Sequence, residues 1–259
     1  MKKEFAVVET RMVAPHVASL TVLAPEVTKI CKPGQFAHIY CGGGIYSITR
    51  RPLSISKIDD DKLSFLFHVK GEGTRWLADR KPGDFVDMMA PLGSGCYQLP
   101  ESGSIIIAAG GIGLAPVIFL AQTAVAKGLK VSMVFGARDQ DNVYCLDELE
   151  RLGITVQVAT EDGSVGECGF VTAPLERALQ HEKPCGIFSC GPVPMLKAVV
   201  KLAKQYGVPV QVSMEERMAC GVGACKGCVT TVKDANGTHY KNVCSDGPVF
   251  YGEEVFFDE

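Results

Sequence analysis

Cys220-Gly-Val-Gly-Ala-Cys225-Lys-Gly-Cys228 places three cysteines within nine residues, and a fourth, Cys244, follows after fifteen more. As ligand spacing this is C-x4-C-x2-C and then a lone C, the plant-type arrangement for four thiolates on a 2Fe–2S cluster. Such a loop must curl around a compact, sulfur-rich object while aiming backbone N–H groups at it. Gly221, Gly223 and Gly227, with Ala219 and Ala224, leave nothing bulky between main chain and cluster. The same ligands allow a four-cysteine zinc site. Zinc ribbons usually carry two short knuckles far apart, so the spacing favours iron and sulfur. Val229 to Val232 and Lys241 to Val243 read as a hairpin around Asp234-Ala-Asn-Gly237 that returns Cys244 to the loop.

The remaining chain supports that site rather than competing with it. Of 259 residues, 47% are apolar and 21% charged, the balance of a globular protein of two or three domains. A net charge of -3, with no run of Lys or Arg longer than two, gives no footprint for nucleic acid or an anionic membrane surface. Eleven cysteines are an odd number, and the first residues lack the apolar core of a signal peptide. A cytoplasmic protein is expected, its other seven cysteines reduced and mostly buried. Ser104 to Ala126 carries no charge, but the glycines at 110–113 and Pro116 make it a buried strand, a loop and a helix rather than a membrane span.

The expected fold is α+β and multi-domain. Residues 1–100 read as an antiparallel β-barrel, with strands Phe5 to Glu9, Val17 to Leu23, Gln35 to Tyr40, Leu53 to Lys57 and Leu63 to Val69. Turns fall at Ala24-Pro25-Glu26, Lys32-Pro33-Gly34 and Asp59-Asp60-Asp61. Thr74 is the expected N-cap of a single helix, Arg75 to Asp79. Residues 101–210 alternate strand and helix, the rhythm of a parallel sheet covered on both faces. Residues 211–259 are the cysteine-bearing tail.

Three stretches have the chemistry of nucleotide binding. Arg51-Pro52-Leu53-Ser54, preceded by Arg50, sets a guanidinium and a hydroxyl on a rigid strand, suited to a pyrophosphate, with Leu53 as an apolar surface for a flat ring. Gly71-Glu-Gly73-Thr74 feeds a helix N-terminus, where N–H groups and the dipole favour phosphate. Gly110-Gly111-Ile-Gly113 joins the first strand and helix of the parallel domain, and Ser189-Cys190-Gly191-Pro192 follows its last expected strand, so both stand at carboxyl ends of strands where such sheets bind nucleotides. Pro116 occupies the place of the last glycine of a full dinucleotide fingerprint. Of five histidines, His68 lies near the glycine turn; His16, His38, His181 and His239 read as surface residues. No Ser-His-Asp spacing, H-E-x-x-H or P-loop is present, which points to moving electrons rather than breaking bonds.

These motifs, together with Pro91-Leu92-Gly93 and the run Glu216-Arg217-Met218-Ala219-Cys220, resemble in the same order those of electron transfer subunits of type B dihydroorotate dehydrogenases. Those subunits fall within the ferredoxin–NADP reductase superfamily. The resemblance implies FAD in the barrel, held by Arg51, Pro52, Leu53, Ser54, His68, Val69, Lys70, Gly73 and Thr74. It implies NAD against Gly110, Gly111, Gly113, Cys190, Gly191 and Pro192, and the cluster on Cys220, Cys225, Cys228 and Cys244. It further implies that electrons from an FMN-containing catalytic subunit, which oxidises dihydroorotate to orotate, reach NAD+ by way of cluster and FAD in a two-plus-two heterotetramer. Thr160-Glu161-Asp162-Gly163 would disfavour a 2′-phosphate, hence NAD over NADP, although Arg138 stands nearby. Rival readings are a flavin and iron–sulfur subunit of a ferredoxin-dependent transhydrogenase, sulfide dehydrogenase or sulfhydrogenase. The transhydrogenase type carries aspartate where Cys220 stands here.

Overall fold

Period-two alternation near the start of the chain closes on itself, because every inward side chain finds the same core. The computed structural model describes residues 2–42, 49–234 and 237–257. In it β1 (Lys2–Ala14), β2 (Val17–Leu23), β3 (Phe36–Ile39), β4 (Arg51–Asp59), β5 (Lys62–His68) and β6 (Phe85–Leu92) form a closed antiparallel barrel in the order β1-β2-β5-β4-β3-β6. Leu20, Ile39, Ile55, Leu63, Phe65 and Met88 fill it and are fully buried. The sixth strand has no counterpart among the expected ones. Val86, Met88 and Ala90 point inward, but exposed Phe85 on the other face and Pro91 near the end blur the alternation.

Two local expectations are corrected. Ala24-Pro25-Glu26 is not a plain turn but the entry to a one-turn helix, α1 (Pro25–Thr28). The second helix, α2 (Glu72–Ala78), begins three residues earlier than expected and its N-cap is Gly71, not Thr74. Thr74 sits inside the first turn and its Oγ1 reaches back to accept from the N–H groups of Lys70 (3.0 Å) and Gly71 (3.1 Å). That is the reach of a third-position side chain in a capping box rather than of a cap.

Next come β7 (Ser104–Gly110), α3 (Leu114–Ala126), β8 (Lys130–Ala137), α4 (Leu146–Arg151), β9 (Thr155–Thr160), β10 (Glu167–Cys168), α5 (Thr172–His181), β11 (Gly186–Cys190), α6 (Val193–Tyr206) and β12 (Val210–Ser213). All six strands run parallel in the order β10-β9-β8-β7-β11-β12. The isoleucine triplet of β7 explains the layering: Ile105 and Ile107 pack beneath α3, whereas Ile106 joins Leu175 and Leu179 of α5 and Leu196 and Val199 of α6. Both faces of the strand are therefore covered. Among the described residues no helix is long and apolar enough to cross a membrane.

The tail forms a hairpin of β13 (Val229–Asp234) and β14 (Gly237–Asn242), whose two turn residues lie outside the described residues. Its second strand ends at Asn242, earlier than expected, so Val243 and Cys244 follow the hairpin rather than belong to it. A last strand, β15 (Val249–Tyr251), adds antiparallel to β12. The large sheet thus draws on residues from both sides of position 210, and it carries an antiparallel edge.

Domains and tail are tied by polar contacts. Tyr97 Oη donates to the Ser189 carbonyl (3.0 Å), and Gln98 and Gln211 exchange two hydrogen bonds (2.8 and 2.9 Å). Gly93 packs against Pro248, with no room there for a side chain. Tyr97 is fully enclosed, and burial pushes its phenol up, so it stays a donor. Tyr97→Phe removes this interdomain hydrogen bond and is expected to cost about 0.5–1.5 kcal/mol, read as a lower midpoint in thermal or urea unfolding.

Candidate redox site

The four expected thiols converge as two pairs. Cys220 and Cys225 lie within side-chain reach of one another, and so do Cys228 and Cys244. Among the described residues no three of His, Cys, Asp or Glu surround a single metal-ion position. The N–H groups of Val222 (3.5 Å) and Cys225 (3.4 Å) point at Cys220 Sγ, that of Gly223 at Cys244 Sγ (3.1 Å), and that of Cys244 at Cys228 Sγ (3.4 Å). Those donors pull the Cys220 thiol down to about 6, whereas burial and then Cys228 push Cys244 up to about 12. Gly221 and Gly223 have φ of +72° and +79°. A methyl on Gly221 would stand 2.6 Å from His38 Nδ1, and one on Gly223 2.7 Å from Ser245 Oγ. Converging thiols in two pairs, main-chain donors aimed at sulfur and a loop with no room for β-carbons fit a 2Fe–2S cluster.

The barrel brings the second group together. On β4, Arg51, Pro52, Leu53 and Ser54 pair with Ile39, His38, Ala37 and Phe36 of β3. The Arg51 guanidinium lies beside Gly73, where a methyl would meet its Nε at 3.3 Å, so the expected phosphate residues of β4 and α2 are neighbours. Because Gly71 has no side chain to cap the helix, no cap competes for the first-turn N–H groups. Arg50 plays a different part. Its Nη2 donates to Asp87 Oδ2 (2.6 Å), its Nη1 to the carbonyls of Asp87 and His38, and it lies over the Tyr40 ring. Leu53 is only 9% exposed and packs in the barrel core, so the apolar surface that it was expected to offer faces inward. His68 and Val69 are half-buried near α2 and Lys70 is exposed; burial and then Lys70 hold His68 below its ordinary value.

The third group stands at the switch point of the large sheet, where β7 leads to β8 on one side and neighbours β11 on the other. A side chain at Gly113 would collide with the Cys190 carbonyl, and one at Gly110 with Met195 Sδ and Pro192. The two motifs are thus packed on one another. Gly111 has φ +53° and open space over it, while its carbonyl accepts from Tyr144 Oη (3.0 Å). Cys190, expected to face a ligand, is 1% exposed, and burial pushes its thiol up.

Two expectations about side chains outside these groups are corrected. His38 is not a surface residue: it is fully buried, and neither ring nitrogen finds a hydrogen-bond partner among the described residues. Its position between Ala37 and Ile39, on the strand face that turns away from the barrel core, was the available signal, but the tail that covers that face is far away in sequence. Of the seven remaining cysteines, Cys41, Cys96 and Cys190 are buried whereas Cys168 and Cys185 are exposed; none forms a disulfide.

A closed flavin-reductase barrel, a switch-point crevice and a cysteine cradle define an oxidoreductase that binds FAD, NAD and a 2Fe–2S cluster. Residues 107–201 match the oxidoreductase NAD-binding domain, and residues 215–256 match the iron-sulfur cluster binding domain of dihydroorotate dehydrogenase B. Curated relatives named dihydroorotate dehydrogenase B (NAD(+)), electron transfer subunit, include one from Desulforamulus reducens, 39% identical over 95% of each chain, and one from Bacillus mycoides, 40% identical over 98% of each. The chain belongs to this family of electron transfer subunits. Among solved structures, an NADH-dependent reduced ferredoxin-NADP oxidoreductase is 29% identical with a TM-score of 0.85, covering 98% of this chain and 90% of that one. The ferredoxin reductase of a carbazole 1,9a-dioxygenase shares the fold, with a TM-score of 0.67 at 21% identity over 82% and 68% of the two chains.

Gly223→Ala forces a β-carbon onto Ser245 at a left-handed backbone position. Iron and acid-labile sulfide per chain are expected to fall to roughly half or less, with bound flavin unchanged, as read by chemical assay of the purified variant.

Proposed function

We propose that this chain relays electrons to NAD+ from dihydroorotate, which is oxidised to orotate on the FMN of a separate catalytic subunit, within a cytoplasmic heterotetramer of two chains of each kind. The observation carrying this reading is the docking of the cysteine cradle against β3, the strand hydrogen-bonded to Arg51–Ser54. Sites for single-electron and hydride chemistry thereby share one small barrel. Bound FAD supplies exchange of a hydride on one side and of single electrons on the other.

Each group of residues has a role in that relay. Arg51 neutralises the pyrophosphate of FAD, and the turn from Gly71 through Gly73 to Thr74 receives a phosphate at the start of α2. Pro52, Ser54 and the segment His68, Val69 and Lys70 flank the flavin, while Leu53 holds β4 rigid from inside the barrel. Gly110, Gly111, Gly113, Cys190, Gly191 and Pro192 frame the nicotinamide half of NAD, where the open space above Gly111 lets the ligand approach the main chain. Cys220 with Cys225, and Cys228 with Cys244, each hold one iron.

Co-expression with the FMN-containing catalytic subunit is expected to give dihydroorotate-dependent reduction of NAD+. The isolated chain is expected to oxidise NADH with an artificial acceptor yet to do nothing with dihydroorotate. Dihydroorotate oxidation by the chain alone would contradict the reading. The likeness to the reduced ferredoxin-NADP oxidoreductase favours a second reading, a ferredoxin-linked transhydrogenase subunit. Co-purification of a larger iron–sulfur flavoprotein in place of an FMN protein would establish that one.

Coenzyme choice follows from the end of β9. Asp162 is occupied by the N–H and hydroxyl of Ser164 (3.0 and 2.6 Å), and Arg138 is held by Asp139 (3.2 Å), which leaves exposed Glu161 to face a ribose 2′-substituent. NADH is expected to be preferred over NADPH by at least about tenfold in kcat/KM, measured by parallel steady-state titrations; a preference for NADPH would refute this assignment.

A further inference from the structure

His38 is a fully enclosed imidazole with both nitrogens unpaired among the described residues. A buried polar group in that condition is costly. The main chain of Arg50 and of Cys220 lies near the ring, but among the described residues neither makes a well-aligned hydrogen bond to it, so a better partner can be accommodated. The surroundings narrow the choice. Phe36, two residues earlier on β3 and therefore on the same face, belongs to the same core cluster as Val243, Cys228 and Cys244. The imidazole itself abuts Gly221, whose missing side chain leaves Nδ1 against the cluster loop, and the main chain of Cys220 is close by. Directly across the strand pair stands Pro52 of the expected flavin site.

We propose that His38 is a positioning residue between the two redox sites, and that its ring N–H donates a hydrogen bond to the sulfur side of the bound cluster at the Cys220 end of the loop. This rests on the reading of the four cysteines as a 2Fe–2S site. An imidazole carries at least one N–H donor whatever its tautomer. A donor aimed at cluster sulfur stabilises the reduced, more negative state and so raises the reduction potential. The same wedge fixes the distance between cluster loop and barrel, because Gly221 leaves the ring no slack.

The experiment uses the whole chain, purified without air, with its histidines labelled with nitrogen-15. Iron and acid-labile sulfide are measured first; their absence would overturn the cluster assignment itself, a failure separate from anything concerning His38. In dithionite-reduced protein that holds the cluster, pulsed electron paramagnetic resonance is expected to show a histidine nitrogen coupled to the cluster spin. A cluster signal without that coupling overturns the proposal, and this reading needs no variant to fold. His38→Leu is expected to abolish the coupling and to lower the reduced-to-oxidised ratio at fixed electrode potential about tenfold, about 59 mV for a one-electron couple. His38→Gln, which keeps an N–H donor, is expected to restore most of that shift. A cluster-bearing His38→Leu variant with unchanged potential would reduce the residue to packing and overturn the proposal.

Discussion

The main chain at Gly221 must lie against His38 of strand β3 and at Gly223 against Ser245, while neighbouring N–H groups point at sulfur, and no β-carbon fits at either glycine. Everything else in the molecule accommodates this approach. Positive φ at Gly221 and Gly223 curls the loop, and the methyl positions they forgo are taken by His38 and Ser245. Electron transfer falls steeply with distance, so a cluster loop carried on a loose tail would not serve. Here the tail is held by its own hairpin, by β15 at the edge of the large sheet and by a core cluster that Cys228 and Cys244 share with Phe36.

The same economy of side chains governs the other half of the molecule. At the switch point, Gly113 lies on the Cys190 carbonyl and Gly110 on Met195 and Pro192, so the strand ends of β7 and β11 close on one another and leave open space only above Gly111. Barrel and sheet are then fixed in register by the Tyr97 hydroxyl, the Gln98 and Gln211 pair, the Gln122 amide that spans to Ile58, and the ion pair of Lys57 with Glu148. A hydride donor in one domain and its acceptor in the other require that rigidity, because a misplacement of about 1 Å costs a large factor in rate.

Much of this was legible in the sequence because it depends on local chemistry. The cysteine spacing, the glycine turns and the alternation of strand with helix in residues 104–206 each declare themselves within a few residues. What escaped depends on residues distant in the chain. Phe85–Leu92 is a barrel strand only because β1 and β3 flank it, and Val249–Tyr251 is a strand only because β12 offers an edge. Leu53 looks like a ring-stacking surface until the barrel closes around it. His38 reads as one more scattered histidine until the tail, almost two hundred residues later, folds over it. The Thr74 error is of another kind: the residue type was right for capping, but the hydroxyl acts from inside the helix, and Gly71 takes the cap because it needs no side chain there.

Single-electron exchange between paired irons in the cysteine cradle and a flavin in the adjacent barrel can be tested directly. The most direct measurement is low-temperature electron paramagnetic resonance of the oxidised protein, purified without air, before and after addition of NADH. A silent oxidised sample is expected and, once NADH is added, the signal of a reduced 2Fe–2S cluster. A protein that contains zinc in place of iron, or one whose cluster is reduced by dithionite but stays silent with NADH, would contradict it.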